Sequence, residues 1–218
     1  MSQSNIVRKF KGKEIAQFSK IFKLEGKKIT FPSSVWYPNG NIYRGQLNRR
    51  GKCDGLGIMY YKNGDILQAK WNNDLANGCG IFIWKDGTEA VGFWKNGHLH
   101  GKKNKIRFPS GSVYIGETEL GVACGQGTMT TSDGDIFRGN WANNKLNGYA
   151  HINYANGDMY NGFMLDHEMC GSGIFHWANG NRYNGFWYKD ALHGQGILDA
   201  TGTTGEVYYG GWEMGQQL

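Results

Sequence analysis

The sequence predicts an all-β repeat array in which one strand–loop–strand–turn unit is used eight times. Three observations carry this. A glycine opens each unit at Gly40, Gly64, Gly87, Gly111, Gly134, Gly157, Gly180 and Gly205, with spacings of 23 to 25 residues. A fixed period of that size is the mark of a repeat architecture. A second glycine pair, such as Gly55-x-Gly57, Gly78-x-Gly80 or Gly171-x-Gly173, precedes an apolar stretch such as Ile81-Phe82-Ile83-Trp84. Asn-Gly or Asp-Gly then closes most units, as at Asn63-Gly64, Asp86-Gly87 and Asn156-Gly157.

Taken in order, the first element after each opening glycine is a strand with the pattern Tyr-x-Gly-x-Trp. It is clearest in Tyr183-x-Gly185-x-Trp187 and Tyr208-x-Gly210-x-Trp212. Side chains alternate along a strand, so all three positions share a face. The glycine leaves a gap that a ring from a neighbouring strand can cover. The next element reads as a longer loop. It carries an apolar residue two before the glycine pair (Ala76, Leu99, Ala123, Leu146, Met169, Leu192), expected to dock the loop on the sheet. A second strand follows. Asn-Gly between apolar runs then predicts a type I′ turn with both central residues at positive φ.

Gly-x-x-Tyr-x-Gly-x-Trp followed by Gly-x-Gly at this period resembles the MORN repeat (membrane occupation and recognition nexus) over residues 36–218. The pattern departs at Leu47, Thr118 and Met164 in the Trp position, at Leu67 and Ala90 in the Tyr position, and at Ala69 in the central glycine. The resemblance implies an elongated single antiparallel sheet of stacked β-hairpins, twisted into a trough. It divides the chain into a basic leader, residues 1–34, and an array, residues 35–218, whose last unit is incomplete.

The leader holds eight Lys/Arg and two acids, which equals the net charge of +6 of the whole chain. The array, with sixteen of each sign, is formally neutral. That speaks against nucleic acid as a partner, since duplex binding neutralises many phosphates. Three readings of the leader stay open. It is a decayed unit capping the array, a short amphipathic helix with Ile15, Phe18 and Phe22 on one face, or a mitochondrial transit segment. No apolar run reaches the about 18 residues of a spanning helix, and a soluble, cytoplasmic protein is expected. Cys124 and Cys170 share one phase two units apart, roughly 19 Å by strand spacing, too far to bridge.

No catalytic constellation stands out. His98-x-His100 has no third ligand at useful spacing, and the Asp166-His167-Glu168 cluster reads as solvated. The glycine motifs lack the Lys-Ser/Thr of a phosphate loop, and no Ser or Cys sits in a nucleophile elbow. No enzyme, cofactor or metal is therefore expected. The expected function is a scaffold or adaptor in a cytoskeletal assembly, the cilium and flagellum included by analogy with the family. Its aromatic trough of Tyr43, Trp71, Trp94, Tyr114, Phe137, Trp141, Tyr160, Tyr183, Trp187, Tyr208 and Trp212 would hold an extended or helical partner segment. The alternatives are peripheral attachment to anionic lipid through the leader, and targeting of an enzyme supplied in trans. A free last strand with Val207, Tyr208, Tyr209 and Trp212, its hairpin partner missing, points to the C-terminal edge as the contact with a second copy or a neighbouring subunit.

Overall fold

The computed structural model describes residues 33–218, so the three readings of the leader lie outside the described residues. Among these residues the secondary structure is entirely β. The chain divides into two units, split after Pro109. The first contains β1 (Ser33–Trp36), β2 (Ile42–Leu47), β3 (Cys53–Tyr60), β4 (Ile66–Asn72), β5 (Leu75–Ile83), β6 (Glu89–Lys95), β7 (His98–Leu99) and β8 (Gly101–Arg107). It is an antiparallel meander in which β6 pairs with both β7 and β8. The second contains β9 (Val113–Glu119), β10 (Val122–Thr130), β11 (Ile136–Ala142), β12 (Lys145–Asn153), β13 (Met159–Leu165), β14 (Glu168–His176), β15 (Arg182–Tyr188), β16 (Ala191–Asp199), β17 (Val207–Glu213) and β18 (Gln216–Gln217). It too is an antiparallel meander, each strand pairing with the next.

The ring that covers the glycine gap comes from the same strand, not from a neighbour. Tyr43 lies flat over Gly45, two residues on, and over Gly57, which is Gly45's partner across the ladder. Its hydroxyl donates to the carbonyl of Gln46 at 2.9 Å. A methyl group at Gly45 would sit 2.5 Å from the ring carbon Cζ, well inside van der Waals contact. Tyr114, Tyr160 and Tyr183 repeat the arrangement over Gly116–Gly127, Gly162–Gly173 and Gly185–Gly196. The units without this tyrosine prove the point in reverse, because each carries a side chain where the glycine pair would be. Leu67 goes with Ala69 opposite Gly80, and Phe137 goes with Gly139 opposite Ala150. In the Ala90 unit the Asn104 side chain fills the space over Gly92. It accepts from the Phe93 amide and donates to the Gly101 carbonyl.

The turns differ from the expected ones, and the two ends of the hairpin exchange roles. At Asn63-Gly64 the Gly64 amide donates to the Tyr61 carbonyl and the Tyr61 amide to Asp65. Only the glycine has positive φ, 99° there and 95° at Gly157. This is a type I turn followed by a left-handed glycine, with the Asn63 side chain accepting from the Asp65 amide. The true two-residue turns with both φ positive lie in the expected longer loop. Examples are Asn73-Asp74 (47° and 72°), Leu120-Gly121 (50° and 82°) and Lys189-Asp190 (48° and 63°). The loop is thus a strand pair. The docking residues Ala76, Leu99, Ala123, Leu146, Met169 and Leu192 sit directly across from the Trp position.

Both rims are fastened from unit to unit by short polar side chains. At the type I rim, Asn41, Asp65, Asp135 and Asp158 accept from the amides of Lys62, Lys85, Ala155 and Ala178 in the next turn. At the opposite rim, Asp74, Asn144, His167 and Asp190 accept from the amides of Cys53, Ala123, Leu146 and Met169. The backbone amide of each donates back to the carbonyl of the same partner. These reciprocal clasps need a residue that is both left-handed and an acceptor, which explains Asp, Asn and His there.

The missing partner of the last strand is present in part. Gln216 and Gln217 pair with Glu213 and Trp212, and the Leu218 amide donates to Gly211. The segment Val207–Gly210 has no partner on that side among the described residues, and Tyr209 is 72% exposed.

Two stability outcomes follow. Gly162→Ala should cost about 1–3 kcal/mol through overpacking. In a Tyr160→Leu background, which copies the Leu67–Ala69 pair, the cost should shrink, giving a coupling of about 1 kcal/mol or more in a urea-unfolding double-mutant cycle. Strict additivity would contradict the seating of the ring. Leu120 holds a left-handed backbone while 66% exposed. Leu120→Asn should therefore stabilise by about 0.5–1 kcal/mol in the same assay, because asparagine tolerates that region.

Candidate functional site

Within each unit the structure places the expected trough residues on one face of the sheet, but as each other's packing. Tyr43, Trp71, Trp94, Tyr114, Trp141, Tyr160, Tyr183, Trp187 and Trp212 are each at most 5% exposed. Phe137 and Tyr208 are half-buried. Each tyrosine meets the tryptophan of the following repeat edge to face, with centroids 5.5 Å apart for Tyr43–Trp71, 5.2 Å for Tyr114–Trp141 and 5.6 Å for both Tyr160–Trp187 and Tyr183–Trp212. The indole N–H groups of Trp71, Trp141 and Trp187 donate to the carbonyls of Gly57, Gly127 and Gly173. The rings pack on one another, and the indole N–H groups of Trp94 and Trp212 are buried without a partner among the described residues, so this ladder is the core of each unit. An open aromatic trough is corrected on that ground: a single-layer sheet must build its core from its own surface.

The opposite face is where large apolar groups are free. Tyr149, Phe163, Phe186 and Tyr209 in the second unit are 55%, 47%, 53% and 72% exposed, and Phe93 in the first is 48% exposed. Phe93, Phe163 and Phe186 share one repeat position, the residue before the Trp position. Tyr149 and Phe163 are cross-strand partners with rings edge to face at 5.9 Å. A shallow groove of about 420 Å³, lined by Asn184, Gln195, Gly196, Ile197, Tyr209 and Gly210, opens on the same unit. The signal that could have found this face was present. The residue between Gly and Trp alternates outward, so an aromatic there is exposed by parity.

Charge is divided between the units, which the formal neutrality of the array conceals. Residues 35–109 carry twelve Lys/Arg and five Asp/Glu, net +7, and residues 110–218 carry four and eleven, net −7. On the face bearing Phe93, Lys95 shares its strand, Lys105 lies across from Val91 and Arg107 across from Glu89. A basic surface is therefore not confined to the leader. Asp166 is not merely solvated: it pairs with Lys145 at 3.6 Å and accepts from Asn147, while His167 belongs to a rim clasp. Cys53 is buried, and its sulfur lies 3.2 Å from the Tyr37 hydroxyl. Among the described residues no group of three or more His, Cys, Asp or Glu side chains is placed to hold a metal ion.

Burial holds the hydroxyls of Tyr43, Tyr114 and Tyr160 well above the ordinary phenol range, and raises that of Tyr183. A raised folded-state value means that the folded form keeps its proton when the unfolded form loses it. The stability from these groups is thus whole at neutral pH and is lost as pH climbs past the unfolded value of about 10. Tyrosinate absorbance from these four should appear together with unfolding above that pH. Ionisation of all twelve tyrosines near pH ~10 in a chain that stays folded would contradict their burial.

The family model of the MORN repeat matches at residues 43–66, 68–89, 91–102, 114–136, 137–159, 160–182 and 183–204. A curated relative, the inactive protein tyrosine kinase pTKL of Plasmodium berghei (strain Anka), is 34% identical over 73 residues, 34% of this chain and 6% of that protein. Alsin of Homo sapiens is 27% identical over 99 residues, 41% of this chain and 6% of that protein. The chain thus matches only about 6% of the length of these relatives. Among solved structures, the G-box domain of the microcephaly protein CPAP aligns over 81% of this chain and 97% of its own, at 16% identity and a TM-score of 0.40.

Proposed function

The chain belongs to the MORN-repeat family, and on that premise we propose that it is a non-catalytic scaffold or adaptor holding a protein partner on the face opposite its aromatic ladder. The observation that carries this reading is the exposed set Tyr149, Phe163, Phe186 and Tyr209. Their ring faces point away from the core, and large rings offer contact area at small entropic cost. The groove beside Tyr209, with the Asn184 and Gln195 carboxamides at its sides, suits an extended or helical segment that presents apolar side chains between polar backbone groups. A cytoskeletal assembly is the setting that the family resemblance implies.

A second reading, attachment to an anionic membrane surface, is favoured by one specific observation. Lys70, Lys95, Lys103 and Arg107 are exposed near Phe93 in the first unit, and a basic residue close to such a surface contributes about 1 kcal/mol.

The test uses the full chain with Phe163→Ser and Phe186→Ser together. Both residues are exposed, so the melting curve should not move. Affinity capture followed by mass spectrometry should recover protein partners at least about tenfold less well than with the wild type. Unchanged recovery would remove the second unit's outer face from the interface. Co-sedimentation with phosphatidylserine vesicles that Lys103→Glu abolishes, with partner capture unaffected by the serine pair, would select the membrane reading instead.

A further inference from the structure

We infer that the molecule associates head to tail with further copies of itself, the basic face of the first unit of one copy seating on the acidic second unit of another. This goes beyond the partner-binding reading and rests on the charge division rather than on the exposed rings alone.

The two surfaces are complementary in sign and similar in chemistry. On the first unit, the strand residues Phe93 and Lys95 share a face with Lys105 and Arg107 of the neighbouring strand, Val91 lying across from Lys105 and Glu89 across from Arg107. Glu89 is the one carboxylate in that group. No ion pair is formed by these cations among the described residues. On the second unit, Phe163 and Phe186 occupy the repeat position of Phe93, and Glu168 and Glu213 are exposed on the strands around them. The charges of +7 and −7 on the two units are equal and opposite. Opposed potentials of this size steer encounter and fix register, while like ends repel. A copy that offers its basic face to one neighbour and its acidic face to another makes a heterologous contact. A heterologous contact that does not close into a ring propagates into an open chain of molecules.

The experiment follows the size of the full-length chain by sedimentation velocity across ionic strength. The wild type should associate at about 0.02 M salt and dissociate towards about 0.5 M, where screening acts over only a few ångströms. Lys103→Glu with Arg107→Glu should weaken self-association by about tenfold or more, and so should Glu168→Lys with Glu213→Lys. All four positions are exposed, so each variant should keep the wild-type melting curve. Mixing the two variants should restore association, since each supplies the charge that the other has reversed. A wild type that stays monomeric at low salt, association that strengthens with salt, or variants that still self-associate and gain nothing on mixing would overturn the proposal. Partner capture with the Phe163→Ser and Phe186→Ser chain, performed at high salt where copies are separate, fails or succeeds independently of these outcomes.

Discussion

The seating of a tyrosine ring on a pair of glycines is the constraint on which the rest of this structure depends. A single layer of strands has no second layer to pack against, so its apolar side chains must shield one another on one face. The ring does this by lying along its own strand, and it can lie there only if both residues beneath it lack a side chain. Once it is flat, its hydroxyl reaches the carbonyl three residues on, and its outer edge is free to receive the next repeat's tryptophan. That tryptophan in turn covers the docking residue across the ladder. One local requirement therefore generates the hydrogen bond, the inter-repeat ring contact and the burial of the peg.

The rims follow a different logic. Strand ends expose amides that water or side chains must satisfy. Here a side chain caps an amide of the neighbouring unit at both rims, Asp65 that of Lys85 in the next unit and Asp74 that of Cys53 in the preceding one. Several acids of the second unit, Asp135, Asp158 and Asp190 among them, are committed to this fastening. They contribute to the field of that unit without being free ligands. This separates the sign of a surface from the presence of a binding site.

Much of the fold was legible because the repeat is strict. The period, the strand with Tyr, Gly and Trp on one face, and the hairpin content all follow from spacing and alternation. The turn chemistry was legible only in part. Asn-Gly is compatible with both a type I′ turn and a type I turn followed by a left-handed glycine, and only the Gly64–Tyr61 hydrogen bond tells them apart. The two-residue turns were hidden because Leu120 and Lys189 are unexpected at positive φ, held there by the strand pairing on either side and, at Lys189, by the clasp of the adjacent Asp190. The interaction surface was misplaced for a more general reason. Aromatic residues at fixed phase mark the core of a repeat at least as strongly as they mark its binding face, and the period alone carries no information about which side is covered. The exposed aromatics are Tyr149 and Tyr209 together with Phe93, Phe163 and Phe186, whose shared repeat position alternates outward. Charge, likewise, was summed over the array before the array was divided.

The pairing of each absent tyrosine with a gained side chain gives the repeats a direction of drift. Losing the ring leaves a shallow void over two glycines, which a side chain gained at one of the two positions can fill, as Asn104 fills the space over Gly92. Gaining the methyl first forces it into a ring that has nowhere to go. A methyl at these sites is therefore accommodated only where the ring is absent. Once the methyl is in place, as at Ala69 or Ala150, the ring cannot return without a second change. The glycines that a unit keeps thus report whether a ring can still be seated in it.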